Sequence, residues 1–230
     1  MKISISNFSS TLFLLLIFSS CNQQAKPAQT AEVKKKTDEN YIFFLHNKYI
    51  EEYGVDAPHP EYGKAEYTTI VDRFKKDGFT VISEVRPSRT DVGVYAQRVN
   101  KQIDSLLKLG VPADYITVIG TSKGGYIAQF SSTYLNNPDV NYVFIGAFQE
   151  SDIRNIPEIN IAGNILNIYE KTDEFGVSAV KRKISSINKV TRFKDLELNT
   201  GLKHGFLYHP MDEWIVPCEH WARREYSKVK

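Results

Sequence analysis

Ten residues constrain this chain more than any others: Val118-Ile119-Gly120-Thr121-Ser122-Lys123-Gly124-Gly125-Tyr126-Ile127. A short apolar run, residues 115–119, leads into them and reads as a buried strand. Beyond them Tyr126, Ile127, Phe130 and Tyr134 recur near helical spacing. The order strand, turn, helix puts G-x-S-x-G in the turn. A turn this tight crowds the backbone, and glycines two before and two after Ser122 remove Cβ atoms that would collide. Gly125 lets the helix approach the sheet. The turn also sets Ser122 at a helix N-terminus, where free N–H groups can bind negative charge. An ordinary strand-to-helix turn could use the same glycines, so the stretch gains meaning only from its context. A P-loop fits poorly, because it needs Gly-Lys-Ser/Thr in that order, and the dinucleotide pattern G-x-G-x-x-G is absent.

The rest of the chain alternates strand and helix patterns. Strands are predicted at residues 41–45, 79–85, 115–119, 140–147, 165–169 and 191–198. Helices are predicted at 67–76, 94–109, after the turn to Asn136-Asn137-Pro138, at 177–187, and from about Met211. Residues 46–66 and 148–163 read as irregular. Such alternation predicts an α/β fold, a mostly parallel sheet covered by helices on both faces, with no large lid inserted. Residues 41–230 are long enough for one domain with a real core.

The first residues read differently. Lys2 is followed by an apolar core at residues 11–18 and then Ser19-Ser20-Cys21, the pattern of a secretory signal over residues 1–20. Phe18-Ser19-Ser20-Cys21 resembles the lipobox of bacterial lipoproteins, with Phe18 where Leu is usual. That resemblance implies lipidation of Cys21 and a place in the cell envelope or periplasm. Plain secretion is the alternative. Residues 21–40 then form the lipidation site and a polar tether, which as a flexible coil would span about 25 Å. With Cys21 lipidated, Cys218 has no partner and no disulfide is implied. A formal net charge of +2 gives no reason to expect a nucleic acid partner. The expected membrane contact is the lipid anchor alone, and the expected state is a monomer.

In parallel α/β sheets, sites form at the C-terminal ends of strands. Ser122 follows the central strand. Glu170, Asp173 and Glu174 follow the strand at 165–169. His204 follows the last strand, within Gly201-Leu202-Lys203-His204-Gly205-Phe206. A serine hydroxyl is a poor nucleophile until a neutral imidazole takes its proton, and a carboxylate orients and stabilises that imidazole. The order nucleophile, acid, base, together with the G-x-S-x-G turn, resembles the α/β-hydrolase family over residues 41–228. The resemblance implies a catalytic set of Ser122, His204 and Asp173, with Glu174 and Glu170 as alternative acids. It implies oxyanion donors at the backbone N–H of Lys123 and at Asn47 or Lys48, where many relatives carry His-Gly in place of His46-Asn47.

Arg86 and Arg89, at a strand end, are candidate clamps for a substrate carboxylate, against a structural ion-pairing reading. Phe148, Tyr49 and Phe206 are candidate lining for the mouth. His46 reads as a support for its loop. His59, His209 and His220 have no ligand spacing, so no metal is expected, and the chemistry needs no cofactor. The activity these residues imply is hydrolysis of an ester, thioester or amide through an acyl-enzyme on Ser122, of the carboxylesterase type. A small or short-acyl substrate is expected from the missing lid. Acyl transfer on the same residues, and a catalytically inactive surface lipoprotein that binds a ligand, are the competing readings.

Overall fold

The computed structural model describes residues 39–230. The predicted signal segment, Cys21 and the tether up to residue 38 lie outside the described residues. In chain order the elements begin with β1 (Tyr41–Leu45), α1 (Lys48–Tyr53), β2 (Pro58–His59), β3 (Gly63–Lys64) and α2 (Tyr67–Lys76). Next come β4 (Thr80–Ile82), α3 (Val92–Lys108), β5 (Ile116–Thr121), α4 (Lys123–Leu135) and β6 (Asn141–Ile145). The chain continues through α5 (Asp152–Asn155), β7 (Gly163–Glu170), α6 (Val180–Ser185), β8 (Val190–Leu198) and α7 (Asp212–Ala222). Six strands form one sheet in the order β4-β1-β5-β6-β7-β8, and every neighbouring pair is parallel.

Both faces of this sheet are covered by apolar side chains, which explains why its central strands β1, β5 and β6 read as hydrophobic runs. Side chains alternate across a strand. Ile42 and Phe44 therefore join a core with Phe74 of α2 and with Trp214, Ile215, Cys218 and Trp221 of α7. Tyr41, Phe43 and Leu45 point the other way, into a core with Val99 and Ile103 of α3 and Ile127 and Ala128 of α4. Burying such faces contributes roughly 25 cal/mol per Å² of apolar surface. At one edge, β8 is only partly buried and carries Arg192, Lys194, Asp195 and Glu197. Charges of this kind keep an open strand edge from pairing with another chain.

Local signals place the elements. Asp91 caps α3 by accepting the Val94 N–H at 2.8 Å, which starts that helix two residues before the apolar pattern suggested. Asn47 caps α1 in the same way, accepting the Ile50 N–H at 3.1 Å. Residues 46–66, expected to be irregular, therefore contain a short helix and the two-residue hairpin of β2 and β3. Neither element is long enough to show a periodicity. Pro217 lies inside α7, where the indole N–H groups of Trp214 and Trp221 anchor the helix to the His209 and Asn164 carbonyls.

Candidate active site

The link from β5 to α4 is the sharp turn expected around Ser122. Ser122 has φ 51° and ψ −119°, a backbone conformation that L-residues rarely adopt. Such strain costs on the order of 1–3 kcal/mol and persists only where the surroundings impose it. Here the Ser122 N–H donates to the Ile145 carbonyl at 2.8 Å, while the Ser122 carbonyl accepts from Gly125 N–H at 2.8 Å. The glycines are required by close approach. A Cβ on Gly120 would stand 2.2 Å from the Gly124 carbonyl oxygen. One on Gly124 would stand 1.9 Å from the Leu45 carbonyl oxygen, so the start of α4 abuts the end of β1.

Beyond β7, Asp173 is buried at 6% exposure, and its Oδ2 is 2.7 Å from Nδ1 of His204, which follows β8. The structure thus brings Asp173 and His204 together at the same sheet edge as Ser122. The other two acids go elsewhere. Glu174 is exposed. Glu170 is fully buried and works as a clamp between two loops. Its Oε2 accepts from the Thr172 N–H at 2.6 Å and the Thr172 hydroxyl at 2.5 Å. Its Oε1 accepts from the N–H groups of Thr200 and Gly201 at 3.0 and 3.1 Å. Burial alone would raise the Glu170 carboxyl pKa, but these hydrogen bonds outweigh it and hold the value below the usual range. The clamp ties the loop carrying Asp173 to the loop carrying His204, a role that the sequence pattern did not reveal.

A second buried network underlies the loop after β1. Arg86 Nε donates to Glu51 Oε2 at 3.1 Å, and both side chains are fully buried. Lys123 Nζ reaches Glu51 Oε1 at 2.5 Å, and the Thr90 N–H donates to the same oxygen at 3.0 Å. Arg86 Nη2 donates to the carbonyls of His46 and Asn47. The Arg86 N–H donates to His46 Nε2 at 2.9 Å, so the other ring nitrogen, Nδ1, carries the proton and donates to the Asn47 carbonyl at 2.8 Å. This neutral ring matches a pKa lowered to about 3, first by burial and then by the Arg86 charge. Peptide units are planar, so holding the His46 and Asn47 carbonyls sets the direction of the N–H groups of Asn47 and Lys48.

Beside His204 lies a cavity of about 770 Å³, open to solvent. Its wall includes Tyr49, His59, Tyr62, Phe175 and Tyr208, together with Asp173 and His204 themselves. The hairpin of β2 and β3 and the short helix α1 supply much of this wall.

No family model matches the chain, and no curated protein matches it in sequence. Solved structures match it in shape. A sugar hydrolase, YeeB, from Lactococcus lactis superposes with a TM-score of 0.53 at 13% identity, over 85% of this chain and 92% of that one. An arylesterase gives 0.53 at 14% identity, over 82% and 76%. MGS-MChE2, an alpha/beta hydrolase enzyme from the metagenome of lagoon sediments at Mar Chica, Morocco, gives 0.50 at 14% identity, over 83% and 94%. The chain has the α/β-hydrolase fold.

Within that fold three candidate site residues, Arg86, Phe148 and Phe206, are placed away from the mouth. Arg86 is 2% exposed and spends its guanidinium on Glu51 and two carbonyls, so it cannot meet a substrate carboxylate. Phe148 is 1% exposed, packed against the Arg182 guanidinium. Phe206 is buried as well. Of the candidate lining residues, Tyr49 does border the cavity, as does Arg89. Long side chains past a strand can turn inward or outward, and here Glu51 together with the His46 and Asn47 carbonyls turns Arg86 inward. The remaining histidines are held locally: His209 by Glu66 at 2.8 Å, His220 by Glu225 at 2.6 Å, and His59 by stacking on Tyr62.

Proposed function

We propose that this protein is a serine hydrolase that cleaves an ester, thioester or amide through an acyl-enzyme on Ser122. The observation that carries the reading is the 2.7 Å hydrogen bond from His204 to buried Asp173, at the sheet edge where Ser122 sits in a strained turn. With Nδ1 engaged by Asp173, His204 presents Nε2 as the base. It takes the Ser122 proton as Oγ bonds to the acyl carbon, and it returns that proton to the departing group. The N–H of Lys123, first residue of α4, and that of Asn47 or Lys48 serve the oxyanion in this reading. A donor of this kind is typically worth about 3 kcal/mol in the transition state. The names of the structural neighbours, among them an arylesterase and a sugar hydrolase, agree with a hydrolase.

The test is covalent labelling with a fluorophosphonate, which reports an activated serine without knowledge of the substrate. Wild type should label, and Ser122→Ala and His204→Ala should not. A folded wild-type chain that takes no label would remove the reading and favour a ligand-binding protein.

A further inference from the structure

The cavity and the proton path together bear on the substrate. His204 Nδ1 is occupied by Asp173, so the opposite ring nitrogen, Nε2, handles the transferred proton. In acylation the Ser122 Oγ–C bond forms and the C–O bond to the alcohol breaks. The proton removed from Ser122 passes through His204 to the alcohol oxygen. That oxygen must come within about 3 Å of Nε2. Whatever it carries must then lie against the surroundings of the imidazole.

Those surroundings are aromatic. The Phe175 ring stands 5.1 Å from the His204 ring, edge to face, and the Tyr62 ring stands 6.5 Å away. Tyr62 stacks on His59 at 4.4 Å and packs against Tyr208 at 5.5 Å. All of these rings face the cavity of about 770 Å³, whose wall runs from His204 and Asp173 across to Lys48. The part of that wall formed by Phe175 and Tyr62 adjoins His204, where the alcohol oxygen takes its proton, so that part faces the departing group. Phe175 is 52% exposed beside the buried pair, an apolar surface that the described residues leave half open. A volume of this size falls within the range of small-molecule pockets and far exceeds a simple alkyl alcohol.

We propose that this cavity receives the leaving group, and that the substrate is an ester of an alcohol carrying a planar aromatic ring. Tyr62 and Phe175 are the specificity-determining residues. The inference rests on the serine hydrolase reading.

The test uses the full-length chain and esters that share one acyl group: ethyl, benzyl and 2-naphthylmethyl acetate, with an acetylated monosaccharide beside them. Every one yields the same acetyl-enzyme, so their deacylation rate is common and differences in kcat/KM report acylation. The naphthylmethyl ester should exceed the ethyl ester by at least about tenfold in kcat/KM, the scale of a well-made ring contact. Phe175→Ala and Tyr62→Ala should each lower that ratio by about tenfold. Hydrolysis of the acetyl-enzyme, which no longer holds the alcohol, should move far less.

A flat leaving-group profile overturns the proposal, as does selectivity that instead follows acyl length in ethyl butyrate and octanoate. A Phe175→Ala effect as large on deacylation as on acylation overturns it too. A sugar acetate cleaved as well as the naphthylmethyl ester overturns the aromatic class. In each of these cases wild type still takes fluorophosphonate. Absence of labelling would instead remove the hydrolase reading beneath it.

Discussion

Replacing Glu51 with Gln should be among the most damaging conservative changes in this protein. The side chain is fully buried and stands between two cations, Arg86 at 3.1 Å and Lys123 at 2.5 Å. Gln keeps the shape and removes the charge. Two positive groups are then left facing a neutral amide, one of them wholly buried and the other 17% exposed. Removing one partner of a buried ion pair costs about 3–5 kcal/mol. Lys123→Met leaves Arg86 and Glu51 paired and should cost about 1 kcal/mol, the scale of a partly exposed pair. Arg86→Met falls between, because Lys123 still neutralises Glu51 while the His46 and Asn47 carbonyls lose their donor. Urea unfolding at pH 7 measures all three. In thermal unfolding the Glu51→Gln loss corresponds to a fall of about 10 °C for a domain of this size. If Glu51→Gln costs no more than Lys123→Met, the three charges do not act as one buried network, and the reasoning fails.

Two further outcomes follow from the site. His46 has a folded pKa near 3 against about 6.5 in the unfolded chain, so its contribution is intact above pH 6.5. It is lost at about 1.4 kcal/mol per pH unit as pH falls from 6.5 toward 3. Unfolding free energies from urea titrations at pH 7 and pH 5 should therefore differ by about 2 kcal/mol more in wild type than in His46→Gln, and equal differences would contradict the neutral ring. For the acid, Asp173→Asn should lower kcat on the order of 10⁴-fold while Glu174→Gln changes it little, measured on any ester that wild type turns over. The reverse pattern would move the role to Glu174.

The turn around Ser122 was legible because its requirements are local: two apolar elements of different period, and glycines where backbones crowd. The order of Ser122, the acidic segment and His204 was legible for a related reason. In a parallel sheet every such segment ends on the same edge, whatever its partners. The central strands β1, β5, β6 and β7 were legible as apolar runs because both of their faces are buried. The short helix after Asn47 and the hairpin at residues 58–64 were not, since elements of two to six residues show no periodicity.

The residue pattern alone was enough for the α/β architecture and for the edge on which its polar groups gather. Which of those groups meet was decided only by tertiary structure. Asp173 and Glu174 are adjacent in the chain and chemically alike, yet one is buried on His204 and the other is exposed. For Arg86 the sequence left a substrate clamp and a structural ion pair both open, and the fold pairs it with Glu51, which lies 35 residues earlier. Glu170 holds two loops that are about 30 residues apart in sequence. The physical reason is common to all three. A buried charge must find its partners, and those partners come from loops that the sheet brings together, at separations no local pattern reaches.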